Sequence, residues 1–249
     1  MKSRRAAASR SSGPNRKFYV ALVGIAVVGI VLVGWSIARP RPGMQVTTVQ
    51  ATPSQAHGYV YGNPNAPVKI LEFGDFECPV CGQFAIVTEP DVRQRILDTG
   101  LASLTYFDFP LSMHHNTIPA SNAAACADDQ GKFWPMHDRL FSGQLEWNTE
   151  ATNNPKKVFL RYAKELGLNT QQWEQCYDSQ KHMSRIMGNR AEALRRHIDQ
   201  TPTFIIGNKM IPGPIPYDQL KAYVDAAAAR VATAAAARSD SQTTAGAPR

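Results

Sequence analysis

The first 57 residues contain no aspartate or glutamate, yet eight basic residues fall among them: Lys2, Arg4, Arg5, Arg10, Arg16, Lys17, Arg39 and Arg41. That imbalance accounts for the formal charge of +7, because the chain holds 27 basic and 20 acidic side chains and the other 192 residues carry 19 and 20 of them, a net of −1. A basic domain face that tracks phosphates is therefore excluded, and no nucleic-acid partner is expected. Cysteine is scarce too: of four, only Cys78 and Cys81 stand close together. Without a second closely spaced pair a zinc ribbon is excluded. What remains is 249 residues, 43% of them hydrophobic, enough for one core of ordinary size and too few for two large domains.

Residues 18–38 carry no charge. As a helix they would reach about 31 Å, the thickness of a bilayer's hydrocarbon core. Six positive charges precede them, which places residues 1–17 in the cytoplasm as a basic tail and everything after Arg39 outside. The expectation is a single-pass anchor in the cell membrane with an extracytoplasmic functional domain. The alternative is a cleaved signal peptide with small-x-small site Ser36-Ile37-Ala38, giving a secreted or periplasmic protein, although the apolar stretch exceeds the usual length of such peptides.

Residues 39–57, with Pro40, Pro42 and Pro53 and no regular period, read as a linker. The domain is expected over 58–225. Val68 to Phe73, between Pro67 and Gly74, has the pattern of a buried strand. Pro79 suits the first turn of a helix that is kinked at Pro90 and finished before Gly100. Leu101 to Phe109 reads as the next strand. A helical block at about 115–198 follows, with helices over 119–130, 133–142, 155–166, 171–180 (Thr170 as N-cap) and 182–198. Within 155–166, Val158, Phe159, Tyr162, Ala163 and Leu166 share one face. Thr203 to Ile206, the Gly207-Asn208 turn and Lys209 to Ile211 form a hairpin. A closing helix runs from Tyr217 to about Arg238, its second half nearly all alanine, within a terminal region 226–249 whose last residues, 239–249, are expected to be disordered. The alanine-rich end reads as solvated surface, with a partner-binding segment as the weaker alternative. The order gives an α/β core with a helical insertion.

Chemistry concentrates at Cys78-Pro79-Val80-Cys81. Two cysteines three apart at a helix start lie one turn apart on one face, close enough to form or reduce a disulfide. The first meets free backbone N–H groups and the positive end of the helix dipole, which favour a thiolate. Cys78 is thus expected to be the nucleophile and Cys81 the group that releases a mixed disulfide. Half of a zinc site and an inert disulfide are the competing readings of an isolated CxxC. The strand before and helix after favour redox.

These residues resemble the DsbA-type thiol:disulfide oxidoreductases of the thioredoxin fold. The resemblance covers about Gly58 to Asp225 and rests on Gly62-Asn63-Pro64-Asn65-Ala66-Pro67-Val68, the run Glu72 to Cys81, Gln130-Gly131-Lys132-Phe133-Trp134, and Thr201-Pro202-Thr203-Phe204. It implies a thioredoxin-like fold with an inserted helical domain, and a cis Thr201–Pro202 bond beside the cysteines that leaves the Thr201 backbone free to pair with an extended substrate. Cys126 and Cys176, both in the insertion, are joined in similar proteins; two buried free thiols are the alternative. For Glu72 the analogy suggests a carboxylate that relays protons for Cys81, while its own position equally allows a half-exposed strand residue paired with Lys69. Gln200 stands where the family often has Gly, and Val80 where its strongest oxidants have His. Val80 can give the Cys78 thiolate neither hydrogen bond nor charge. The expected reduction potential is therefore intermediate, between about −270 mV for thioredoxin and about −120 mV for the extreme oxidant.

Asp75 and Glu77 read as solvated loop charges that oppose ionisation of Cys78. His114 and His115, adjacent and without an evident third ligand, read as loop or capping residues. Trp134 and His137, one turn apart, read as packing. No cofactor or resident metal is expected. The function expected is a membrane-anchored oxidoreductase that introduces or exchanges disulfides in unfolded or misoxidised exported proteins, recycled by a quinone-linked membrane oxidase. A reductase or isomerase fed by a membrane reductant is the rival within the enzymes. A thiol metallochaperone holding Cu(I) or Zn between the two cysteines is the rival from another class.

Overall fold

The computed structural model describes residues 56–245, together with Gly29, Thr47 and Thr48. The membrane span expected over 18–38 lies outside the described residues except for Gly29, which is helical. Among the described residues no helix is long and apolar enough to cross a membrane.

Six strands form one sheet: β1 Thr47–Thr48, β2 Tyr59–Tyr61, β3 Val68–Gly74, β4 Ala102–Asp108, β5 Thr203–Ile206 and β6 Lys209–Pro212, in the order β1-β6-β5-β3-β4-β2. β3 and β4 pair in parallel over seven residues, Val68 opposite Ala102 to Gly74 opposite Asp108. On its other side β3 pairs antiparallel with β5, Ile70 opposite Ile206 and Phe73 opposite Thr203. Both strands are paired on both edges; β5 is buried along its whole length, Thr203-Phe204-Ile205-Ile206, whereas β3 leaves Lys69 exposed near its start. Gly207 takes φ +61° in the turn of the β5–β6 hairpin, a conformation that costs any residue with a Cβ. Two strands went unseen in the sequence. β2 is a short edge strand, and the expected linker supplies β1, whose two residues pair with Met210 and Lys209.

The right-handed crossover demanded of a parallel pair is made by helix α1, residues 79–97, which starts one turn after β3. The disturbance expected at Pro90 takes the form of π-helical turns at Phe84–Thr88 and Arg93–Leu97. Pro90 has no N–H to give to Ile86, and the Glu89 N–H reaches back five residues to the Phe84 carbonyl instead.

Between β4 and β5 lies the insertion: α2 Thr117–Asp128, α3 Phe133–Ser142, α4 Gln144–Trp147, α5 Lys156–Glu165, α6 Thr170–Asp178 and α7 Met183–Arg195. Its centre is α2, buried almost all round through Ala120, Ala123, Ala124, Ala125, Cys126 and Ala127, small side chains that let neighbouring helices approach closely. On α5 the expected face is the buried one at Phe159, Tyr162 and Ala163, with Val158 and Leu166 partly buried at its margins. The cap of α6 is Asn169 rather than Thr170: the Asn169 carbonyl oxygen of the side chain accepts the Gln172 N–H at 3.0 Å, which makes Thr170 the first helical residue. The closing helix α8, Tyr217–Ala245, continues past Arg238, so the disorder expected from residue 239 is not found over 239–245. Alanine has the highest helix propensity, and the helix continues without an apolar stripe to bury.

Cys126 of α2 and Cys176 of α6 are disulfide-bonded, their Cα atoms 5.8 Å apart and 50 residues apart in sequence. Closing that loop constrains the unfolded chain by up to ~4 kcal/mol. Replacing both with alanine is expected to lower the melting temperature by about 5–15 °C while leaving the reactivity of Cys78 nearly unchanged. A melting curve and a thiol-alkylation rate on the same variant check this. Loss of exchange in a still-folded variant would make this pair part of the reaction.

Candidate redox site

Cys78 is the N-cap of α1, with extended backbone (φ −69°, ψ 121°), and Pro79 occupies the first turn, where its missing N–H leaves nothing unpaired. The helix therefore opens with its free N–H groups around the Cys78 sulfur. Cys78 is 7% exposed and Cys81, one turn in, is wholly buried; neither is in a disulfide here. The Cys81 thiol hydrogen-bonds to the Cys78 sulfur and, with the Thr201 side chain and the backbone N–H groups of Cys81 and Val80, lowers its pKa to about 6, against the opposing effect of burial. Burial raises the pKa of Cys81 well above the ordinary thiol value, reinforced by the hydrogen bond to Cys78 and outweighing a backbone hydrogen bond at Asp75. Two identical side chains thus stand as a thiolate and a neutral thiol. The Thr201–Pro202 bond is cis, and the Thr201 carbonyl lies 3.6 Å from Cys78 Sγ.

Glu72 is completely buried on β3, and neither carboxylate oxygen has a hydrogen-bond partner. The alternative of a half-exposed residue paired with Lys69 is thereby corrected: residues three apart on a strand point to opposite faces, Glu72 and Lys69 do not meet, and the Lys69 ammonium donates to the Pro64 carbonyl. Burial first, then the nearby charge of Glu89, holds the Glu72 carboxyl well above the usual carboxylate range, with Arg93 opposing. Glu72 and Cys81 are close enough for the carboxylate to raise the thiol further.

Asp75 and Glu77 are not the solvated charges expected. Both are buried, 1% and 5% exposed. Asp75 accepts the Glu77 N–H at 2.8 Å through Oδ1, and the Leu111 N–H and His114 Nδ1, each at 2.9 Å, through Oδ2. Glu77 accepts the Asn116 N–H at 2.7 Å and the Thr149 N–H. These carboxylates satisfy backbone donors in the loop 111–116 and in the turn after α4, so hydrogen bonding offsets their burial. His114 lies in that loop as expected, its pKa raised first by the bond to Asp75. The His115 backbone N–H reaches Thr149 Oγ1 at 3.1 Å.

Gln144 was not visible as a site residue. From the start of α4 its Nε2 donates to the carbonyls of Phe76, at 2.7 Å, and Cys78, at 3.0 Å. The approach requires Gly82, where a Cβ would stand 2.8 Å from the Gln144 Oε1. Nothing local marks a glutamine 66 residues from its partner, although Gly82 directly after the CxxC hinted that something approaches the helix there. Trp134 and His137 pack as expected. The His137 ring is buried among Phe76, Tyr106, Phe133, Trp134 and Phe141, with centroid separations of 4.8 to 5.9 Å. Cys126, Cys176 and His182 lie within metal-ligating distance of one another, but the two sulfurs are bonded to each other.

The sequence model of the family described as Thioredoxin matches residues 54–226. A stretch of 177 residues, 71% of this chain, is 33% identical to part of the Na(+)/H(+) antiporter NhaA 3 of Salinispora tropica, and covers 25% of that protein. The chain thus spans about a quarter of the length of that curated relative. The probable disulfide bond formation protein D of Bacillus anthracis is 26% identical over 172 residues, covering 66% of this chain and 75% of that one. Among solved structures, oxidised BdbD from Bacillus subtilis superposes with a TM-score of 0.63 at 24% identity, covering 73% of this chain and 98% of that one, a likeness of fold. Together with a CxxC at the start of α1, a cis Thr201–Pro202 bond beside it and a helical block between β4 and β5, these matches show that the chain belongs to the thioredoxin family.

Proposed function

We propose that this protein is a DsbA-type thiol:disulfide oxidoreductase that acts in the oxidising direction, transferring a Cys78–Cys81 disulfide to exported proteins from a position anchored at the outer side of the cell membrane. The observation that carries the direction is the pairing of a stabilised Cys78 thiolate with a neutral buried Cys81. Stabilising the thiolate favours the reduced protein, and the disulfide is correspondingly easy to give away. At pH 7 a thiol titrating near 6 instead of near 9 gains ~1.4 kcal/mol in the reduced form, equivalent to ~30 mV. That supports an intermediate potential. Anchoring is supported by the uncharged run 18–38 behind six positive charges. Substrates would be unfolded or misoxidised exported chains that pair along the Thr201 backbone, and recycling would need a quinone-linked membrane oxidase. Glu72 would move protons for Cys81. A reductase or isomerase with a membrane reductant uses the same groups at a lower potential.

Cys81→Ser is expected to accumulate a mixed disulfide through Cys78, whereas Cys78→Ser should lose exchange with a peptide disulfide altogether; gel mobility under non-reducing conditions reads both. Trapping by the Cys78 variant would reverse the assignment of roles.

The rate of Cys78 alkylation should rise with pH to a half-maximum near 6, the titration point of the thiolate. Because the folded pKa is depressed, the stabilisation of the reduced form relative to the oxidised one is full above the ordinary thiol value near 9 and fades as pH falls through about 6. Denaturation midpoints of both forms across that range check the sign. Equilibration with glutathione fixes direction: a potential above about −270 mV supports the oxidase, and one below it supports the reductase.

A further inference from the structure

Glu72 is not alone under the active site. Glu89, on α1, is also completely buried, and its Oε2 has no hydrogen-bond partner, like both oxygens of Glu72. The two look into the same layer. Ile70 lies two residues before Glu72 and so on the same face of β3, while Val92 and Ile96 follow Glu89 by three and seven residues on the inward face of α1, and Ile70, Val92 and Ile96 pack in one core together with Phe84 and Phe204. Phe204 stands directly opposite Glu72 in the sheet. Cys81 packs in the adjoining core with Tyr106, the residue opposite Glu72 on β4.

The Oε1 of Glu89 has a firm partner. Arg93 donates to it from Nε at 2.9 Å and from Nη2 at 2.7 Å. The same guanidinium forms a fork with Asp138 of α3, at 2.8 and 2.7 Å, and lies over the Tyr61 and Trp134 rings at 4.6 and 5.0 Å. Asp138 is half-exposed, so the array reaches solvent at that end. One cation thus bonds to two carboxylates, while among the described residues none bonds to Glu72, on which Arg93 acts only at a distance. The remaining ionisable groups around the pair are Cys81 on α1, Tyr106 on β4, whose hydroxyl has no partner, and His137 on α3, bonded to Asp138 at 2.9 Å.

We infer that Glu72 and Glu89 form a dyad that holds one proton between them, with Arg93 fixing the negative charge on Glu89 and so leaving the proton on Glu72, where it serves the Cys81 sulfur. This rests on the oxidoreductase reading of the site. When a substrate thiolate bonds to Cys78 Sγ, the Cys78–Cys81 bond breaks with its electron pair on Cys81 Sγ, and the Glu72 proton moves to that sulfur. In the oxidising direction a second thiolate of the substrate then attacks the substrate sulfur of the mixed disulfide, so that the substrate leaves with its own disulfide and Cys78 leaves as thiolate while Cys81 keeps its proton; in the reverse of the first step Cys81 gives its proton to Glu72, bonds to Cys78 and expels the substrate thiolate. Glu89 touches no reacting atom and is a positioning residue. Its charge beside Glu72 sets the pH at which the second carboxyl of the pair ionises.

The test uses the full chain. The rate at which the mixed disulfide of Cys78 with glutathione is released is followed against pH. Glu89→Gln should lower the midpoint of that profile by about one pH unit, because it removes the like charge that keeps Glu72 protonated. Arg93→Gln should move the midpoint up, and Glu72→Gln should flatten the profile. In the wild-type protein at pH 7 the infrared band of a protonated carboxyl should be present, and it should disappear in Glu72→Gln. A merely structural role for Glu89 and Arg93 would lower stability and leave the midpoints in place. An unmoved midpoint in either charge variant while exchange proceeds, or no Glu72-dependent band in the wild type, overturns the dyad. If Glu89→Gln does not fold, Arg93→Gln and the wild-type band carry the decision. Absence of exchange in the wild type would instead overturn the oxidoreductase reading.

Discussion

Within one helical turn the chain must keep one sulfur charged and another neutral, although both belong to cysteine. The separation follows from burial and donor supply. At the N-cap, Cys78 gathers backbone N–H groups that no preceding turn can use, while Cys81, a turn deeper, is governed by burial and by the first sulfur. The parallel β3–β4 pair makes the arrangement possible, because a parallel connection needs a crossover helix and that helix must begin at the carboxyl end of β3. The sulfurs sit at that end, where Asp75 and Glu77 also lie.

Those two acidic residues change the meaning of the insertion. Negative charge near a thiolate works against it, but Asp75 and Glu77 spend their oxygens on the N–H groups of Glu77, Leu111, Asn116 and Thr149 and on His114. Gln144 adds two donors to the carbonyls of Phe76 and Cys78. The turn carrying Cys78 is therefore held from both sides by residues of the helical block, and the block acts as a clamp on the cysteines as well as a wall beside them.

The sequence was a good guide wherever the signal was local. The strand at Val68 to Phe73, the cysteine pair at a helix start, the Gly207-Asn208 hairpin and the apolar face of α5 all announce themselves within a few residues. The cis bond at Thr201 and the bridge from Cys126 to Cys176 came from resemblance to a family, since no local pattern encodes them. Charge was read poorly. Asp75 and Glu77 look like surface loop residues until partners 36 to 72 residues away are known, and Glu72 could be told from a half-exposed strand residue only after Lys69 was seen to turn away. Short edge strands such as β1 and β2 escape for a similar reason, because two or three residues are too few to show a period.

The order of strands has a consequence for the chain as it leaves the ribosome. β3 and β4 can pair as soon as α1 has been made, but the other edge of β3 waits for Thr203–Ile206, which follow only after the whole helical block. Through that interval the central strand offers a free apolar edge, the kind of surface on which unfinished chains stick to one another. The helical block is built in the same interval, and the core around α2 and α6 is shared only with residues made earlier, among them Tyr59, Phe76, Cys81 and Tyr106, so it can form before the sheet is closed. A domain interrupted in this way must keep one edge of its central strand from other chains until its last hairpin is synthesised, and export in an unfolded state would postpone that risk to the far side of the membrane.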